Sequence, residues 1–417
     1  MVHEIRSQQA EILVNRNIKA YILLNLDLLV MLVPVIMILW VKIGLTFNQV
    51  LLLQGIFVLT IMVAEVPSGA LADSRRRKSV VIIGQSLIAC ATAFYLVADN
   101  FWWCVMAEMT YGLGQATLSG SLQAMLYDSL LEYSRQDELQ SVVRTERIIT
   151  FTLAVLLAPV GGIMGTIAVR LPLLVITVLE VVIVLLSVFL LTEPERVKAR
   201  NTGEAAVRAI KGLKNPVLFG LAIFSLSGAV GTIVFWSYQN LFVNEFNFTA
   251  LTMGVLMAIL NLLAASSTWF SRKLEKKVSL NLLTCFAALD TVGIVMIVLF
   301  KNSVAVFLPV LLFQFTRGSK APLVAVLMQE NLHSAERATY ISLNSMIGSL
   351  VYMLLVGTVN GLGLSLVETL VLMAVSCAVI TLSLVATVTI PMLKNGRKLV
   401  KNRYESKLRQ LTARVES

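Results

Sequence analysis

The sequence predicts an all-α integral membrane protein with twelve transmembrane helices in two six-helix halves and both termini in the cytosol. Three observations carry this reading. Residues AVILMFWYC make up 57% of the chain and DEKR only 14%, with a mean hydropathy of +0.83, whereas a soluble domain is typically about 25% charged. Too little polar surface remains to coat a water-soluble body. Mostly apolar runs of about twenty residues recur along the whole length, each long enough at about 1.5 Å per residue to cross a hydrocarbon core of about 30 Å. Finally, Lys and Arg are divided unevenly among the loops, as insertion physics requires.

In chain order the runs lie near 18–43, 50–72, 79–98, 101–124, 146–169 and 171–191, then near 215–240, 251–270, 279–300, 303–325, 339–358 and 366–391. The polar, highly charged stretch between the two sets ends in the helix-starting pair Asn215-Pro216. The expected organisation is an N-terminal half (1–191), a cytosolic linker (192–214), a C-terminal half (215–391) and a basic cytosolic tail (392–417). The first sixteen residues are too polar for a cleaved signal peptide, so the first span is expected to remain in the mature chain. Of the 34 Lys and Arg, Lys42, Arg170 and Lys301 alone are assigned outside, Arg317 and Lys320 fall inside a span, and the rest are cytosolic. The net charge of +10 therefore belongs to a basic cytosolic face against anionic lipid, not to a nucleic-acid surface.

Several chemistries lack material. Only His3 and His333 are present, and Cys90, Cys104, Cys285 and Cys377 all fall inside apolar runs, where buried thiols are expected instead of disulfides or metal ligands. No G-x-x-x-x-G-K-[ST] phosphate loop occurs. The chain is expected to be no enzyme, to need no cofactor or metal, and to act as a monomer in the cell membrane, plasma or bacterial inner. Its expected partners are a small-molecule substrate, protons and the lipid bilayer.

Between the second and third spans stands Gly69-Ala70-Leu71-Ala72-Asp73-Ser74-Arg75-Arg76-Arg77-Lys78. This resembles the loop pattern G-x-L-A-D-r-x-G-r-k of the major facilitator superfamily, with Gly69, Leu71, Ala72, Asp73, Arg77 and Lys78 matching, Ser74 where Arg is frequent, and Arg76 replacing the second Gly. The resemblance implies a cytosolic gate in which the loop's Asp and Arg pair with an acid at the end of the fourth span. Asp128 occupies that place, and Arg144 opens the fifth span beside it. In the fourth span Glu108-Met109-Thr110-Tyr111-Gly112-Leu113-Gly114-Gln115 resembles the family's R-x-x-q-G-x-g-a, with Glu108 in place of Arg. In the fifth span Ala154, Ala158-Pro159-Val160-Gly161-Gly162 and Gly165 resemble the Gly and Pro pattern of the family's antiporters, with the Gly pair shifted by one place.

An acid in an apolar helix costs about 2.5 to 3.5 kcal/mol on insertion scales and marks a pathway or proton site by default. Glu108 and Asp27 are the expected proton-coupling groups. Asp27 and Arg317 lie at similar depth, roughly 12 to 14 Å from the cytosolic ends of their spans, and are expected to balance each other. In the family the first, fourth, seventh and tenth helices line the cavity. The resemblance thus implies a path holding Asn25, Gln115, Trp236, Tyr238, Gln314, Arg317 and Lys320. Glu180 and Asp290 fall on helices that usually face lipid and receive no role. The expected function is proton-coupled efflux of a small lipophilic or amphipathic compound by alternating access. The alternative is proton- or ion-coupled uptake of a polar or anionic solute held by Arg317 and Lys320.

Overall fold

In a lipid environment each backbone N–H and C=O must find its partner within the protein, and a continuous apolar run does so by forming α-helix. The computed structural model describes residues 2–26, 28–74, 76–132, 134–193, 215–274, 278–332 and 334–389, and among these every regular element is helical. In order they are α1 (Val2–Leu24), α2 (Val33–Ile43), α3 (Phe47–Ser74), α4 (Arg77–Val97), α5 (Phe101–Glu132), α6 (Leu139–Ile167) and α7 (Leu171–Leu190). After them come α8 (Pro216–Asn244), α9 (Ala250–Leu274), α10 (Leu280–Phe300), α11 (Phe307–Asn331), α12 (Ser334–Gly361) and α13 (Leu366–Leu384). Most of the predicted linker and all of the predicted tail lie outside the described residues.

Ten of the described helices are long and apolar enough to cross a membrane, or eleven if the bent pair in the first run counts as one span. That pair differs from the single helix predicted over 18–43. The chain bends by 46° between Leu13–Met31 and Val33–Ile43, where a 3-10 turn (Leu28–Met31) intervenes and Pro34 restarts the helix in its first turn. The fourth predicted span is a 32-residue helix, α5, as long as the longest of the ten. It is absent from that set on composition, since it carries Glu108, Gln115, Asp128 and several hydroxyls.

Two compact units make up the chain. Unit 1 comprises Met1–Asn201, Phe235–Ala265 and Ser349–Thr369; unit 2 comprises Thr202–Val234, Ser266–Gly348 and Leu370–Ser417. In unit 1, α5 packs closely against both α3 and α4, and small residues set the separation. A Cβ at Gly114 would lie 3.0 Å from the Gly84 carbonyl oxygen, and one at Gly112 would lie 3.1 Å from that of Phe57. Trp40, buried at 1% exposure, meets Trp236 with ring centroids 5.3 Å apart. Asn17 ties α1 to α5 and to the segment after α7: its Nδ2 donates to Ser129 Oγ at 2.8 Å, and its Oδ1 accepts from the Thr192 amide at 2.9 Å.

Unit 2 is centred on the packing of α10 against α11, with Leu283, Ala287, Ile294, Val310 and Phe313 buried. On α13, Val371, Val375, Val379 and Leu382 repeat at helical spacing and are all exposed. Apolar side chains on the outside as well as the inside are the signature of a helix whose solvent is lipid.

Candidate functional site

Glu108 lies on α5 at 5% exposure. Its Oε1 accepts from Gln54 Nε2 on α3 at 3.0 Å and from the Tyr95 hydroxyl on α4 at 2.5 Å. The close approach of α3, α4 and α5 brings these donors together, and both are neutral. A carboxyl in this setting keeps hydrogen-bonding partners in either protonation state, because a hydroxyl and a rotated amide can each accept as well as donate.

A cavity of ≈ 360 Å³ in unit 1 is lined by Asn25 and Gln115 together with Gln85, Tyr111 and Glu180. Gln85 Nε2 donates to Glu180 Oε2 at 2.5 Å, and Gln115 Nε2 donates to the Tyr111 hydroxyl at 3.0 Å. Within unit 2 a second cavity, of ≈ 270 Å³, is lined by Arg317, Lys320, Phe224 and Phe313 among others. There Lys320 forms an ion pair with Asp290, whose other carboxylate oxygen accepts from the Thr316 hydroxyl. Lys320 Nζ also lies 5.7 Å from the centre of the Phe224 ring.

The residues expected at a cytosolic gate lie in unit 1. Arg77 Nη2 is 3.0 Å from Asp128 Oδ2, with Asp128 3% exposed, beside a cavity of ≈ 580 Å³. Lys78 Nζ donates to the Val188 carbonyl at 2.7 Å. Glu193 accepts from the amides of Arg77 and Lys78 at 2.8 and 2.9 Å, and so caps α4 at an end where no side chain of the Arg76 N-cap position does. Gly69 and Asp73 belong to α3, with side chains outside the described residues; Arg144 is exposed on α6.

Three expected cavity residues stand elsewhere. Trp236 packs on Trp40, and Tyr238, fully buried, stands edge-on to Phe235 and Phe242 at 5.5 and 6.2 Å. Gln314 is 5% exposed and keeps a buried Oε1 without a hydrogen bond. None of the three lines the cavities above. Asp27 lies outside the described residues, so its expected balance with Arg317 rests on depth alone.

With this geometry in place, comparison with known proteins is decisive for the family. Residues 21–356 match the family described as Major Facilitator Superfamily. The chain belongs to that superfamily. The MFS-type transporter YxaM of Bacillus subtilis (strain 168), itself uncharacterized, is 22% identical over 318 residues, 73% of this chain and 78% of YxaM. Among solved structures, the nucleoside transporter NupG aligns with TM-score 0.68 at 12% identity, covering 91% of this chain and 98% of NupG. The D-xylose-proton symporter aligns with TM-score 0.67 at 12% identity, covering 90% and 97%. At such identities the structural likeness shows the fold. The superfamily assignment makes this chain a multi-pass membrane transporter, and the relatives it resembles are transporters rather than enzymes.

Two acids of this transporter that sequence reasoning left without a role are both engaged. Glu180 meets Gln85 across α4 and α7, and Asp290 meets Lys320 and Thr316 across α10 and α11. For Asp290 a usable signal existed: Thr316 and Lys320 are four residues apart and share a helix face. The antiporter-like glycines serve close packing, since a Cβ at Gly162 would lie 2.6 Å from the Ala250 carbonyl oxygen on α9.

Proposed function

We propose that the chain is a proton-coupled exporter of small lipophilic or amphipathic compounds that works by alternating access, with Glu108 as the coupling acid. One observation carries the reading: Glu108 is buried among helices and, among the described residues, is held by the neutral donors Gln54 and Tyr95. Among the described residues no cation fixes its charge, so small changes in surroundings between states can load or release a proton. Exchange follows when substrate and proton favour opposite charge states of the acid. The Arg77–Asp128 pair supports a cytosolic gate, because it joins the start of α4 to the last turns of α5 beside a cavity, where opening would admit water to both charges.

The test is transport in proteoliposomes. Glu108→Gln is expected to retain substrate exchange and lose accumulation driven by a pH gradient. Wild-type accumulation with wild-type pH dependence in this variant would remove Glu108 from coupling.

A second reading, uptake of an anionic solute, is favoured by one feature, the cavity that Arg317 and Lys320 line. Asp290 already neutralises Lys320, which weakens it. A panel of cationic dyes and anionic metabolites in the same vesicles separates the two, since export of cations without movement of anions leaves only the first.

A further inference from the structure

The unit 1 cavity holds a carboxylate that proton coupling at Glu108 does not use. Glu180 and Gln85 line it, each 3% exposed, and their hydrogen bond leaves Gln85 Oε1 buried with no partner. That oxygen is closed off from the cavity, so the polar group this pair brings to the wall is Glu180. The other amides on the wall supply acceptors. Asn25 directs its Nδ2 to the Tyr21 carbonyl at 2.8 Å and Gln115 directs its Nε2 to Tyr111, so each turns an amide donor to the protein and keeps a carbonyl oxygen to offer. Among the described residues that line it, none is Lys or Arg. The apolar wall is a stacked pair, Phe57 and Tyr111, with ring centroids 5.1 Å apart and planes inclined by 12°.

Acceptors, a carboxylate and aromatic faces together suit one ligand chemistry, a cation that carries hydrogen-bond donors on an apolar body. We infer that this cavity recognises a small organic ammonium ion, with Glu180 as counter-charge, the Asn25 and Gln115 carbonyl oxygens as acceptors and Phe57 and Tyr111 against the hydrocarbon part. A bare inorganic cation fits less well: the cavity of ≈ 360 Å³ is an order of magnitude larger than the roughly 30 Å³ share of one water, and an aromatic wall adds nothing to an ion held by oxygens. This assigns a substrate class to the proposed exporter, and rests on that reading only for what happens after binding.

The experiment is calorimetric titration of the purified full-length protein in detergent with phenethylammonium, the neutral alcohol 3-phenylpropanol and the anion 3-phenylpropionate. The ammonium is expected to bind at least about tenfold tighter than either analogue, and Glu180→Gln to abolish that preference. Gln85→Leu is expected to weaken the ammonium by a smaller factor. Equal binding of ammonium and alcohol by the wild-type protein overturns the assignment. So does displacement of the ammonium by sodium at constant ionic strength, which would mark an inorganic-cation site. The wild-type ligand series decides the matter even if Glu180→Gln does not fold. Binding without pH-driven accumulation in vesicles would remove the export reading and leave this site standing; pH-driven transport of other solutes without ammonium binding would do the reverse.

Discussion

Glu108 and Asp290 are both carboxyl groups on helices and both nearly sealed from the surface, at 5% and 2% exposure, yet the groups that hold them differ in charge. Glu108 has an amide and a phenol; Asp290 has an ammonium and a hydroxyl. An acid held by neutral donors can gain or lose its proton without stranding a partner, whereas an acid held by a largely buried Lys is tied to it, because neutralising either one leaves the other charged in a poorly solvated place. The first arrangement suits a group that cycles. The second suits a group that fixes one helix against another, here α10 against α11.

The largest expected effect breaks the second arrangement. Lys320→Met leaves Asp290 with only Thr316 and should cost about 3 to 5 kcal/mol, read as a large fall in thermal stability of detergent-purified protein. Asp290→Asn combined with Lys320→Met should recover most of the loss. Strictly additive effects would show that the pair contributes nothing as a pair.

Glu108→Gln in the same assay sharpens the contrast. Gln54 and Tyr95 both donate to Oε1, and the carbonyl oxygen of Gln can accept both bonds, so the expected loss is about 1 kcal/mol or less. A loss as large as that of Lys320→Met would make Glu108 a structural acid and empty the contrast of meaning.

The sequence made the helices legible because an apolar run long enough to span a membrane has one stable backbone solution. It hid the break at Leu28–Met31, since Pro34 is compatible with both a kink and a restart. Arg77 and Asp128 were readable from a motif that fixes both chain position and helix end, and the structure brings them to 3.0 Å. Asn25 and Gln115 were readable as polar residues on the expected cavity helices, and they line one cavity. The partners of Asp290 and Glu180 were not readable. In a soluble helix the polar face reveals rotation about the axis, but in lipid both faces are apolar, so one sequence gives depth without rotation. Depth alone suggested Arg317 with Asp27. Asp27 lies outside the described residues, while Lys320, three residues after Arg317 on α11, pairs with Asp290.

The smallest expected effects come from removing one hydroxyl at each acid. Tyr95→Phe takes a donor from Glu108, and Thr316→Val takes one from Asp290 while the ion pair with Lys320 stays. Hydrogen bonds between membrane helices average about 0.6 kcal/mol, so the two variants should lose similar, small amounts of stability and unfold within a few degrees of wild type. Their transport should differ. At Glu108 the lost bond was one of two interactions bearing on its protonation, so the pH at which exchange is half-maximal should move in Tyr95→Phe. At Asp290 the Lys320 charge dominates, and the profile of Thr316→Val should overlay that of wild type. Profiles that move equally in both variants, or in neither, would mean that the neutral donors around Glu108 do not set its proton exchange, and that coupling belongs to another acid.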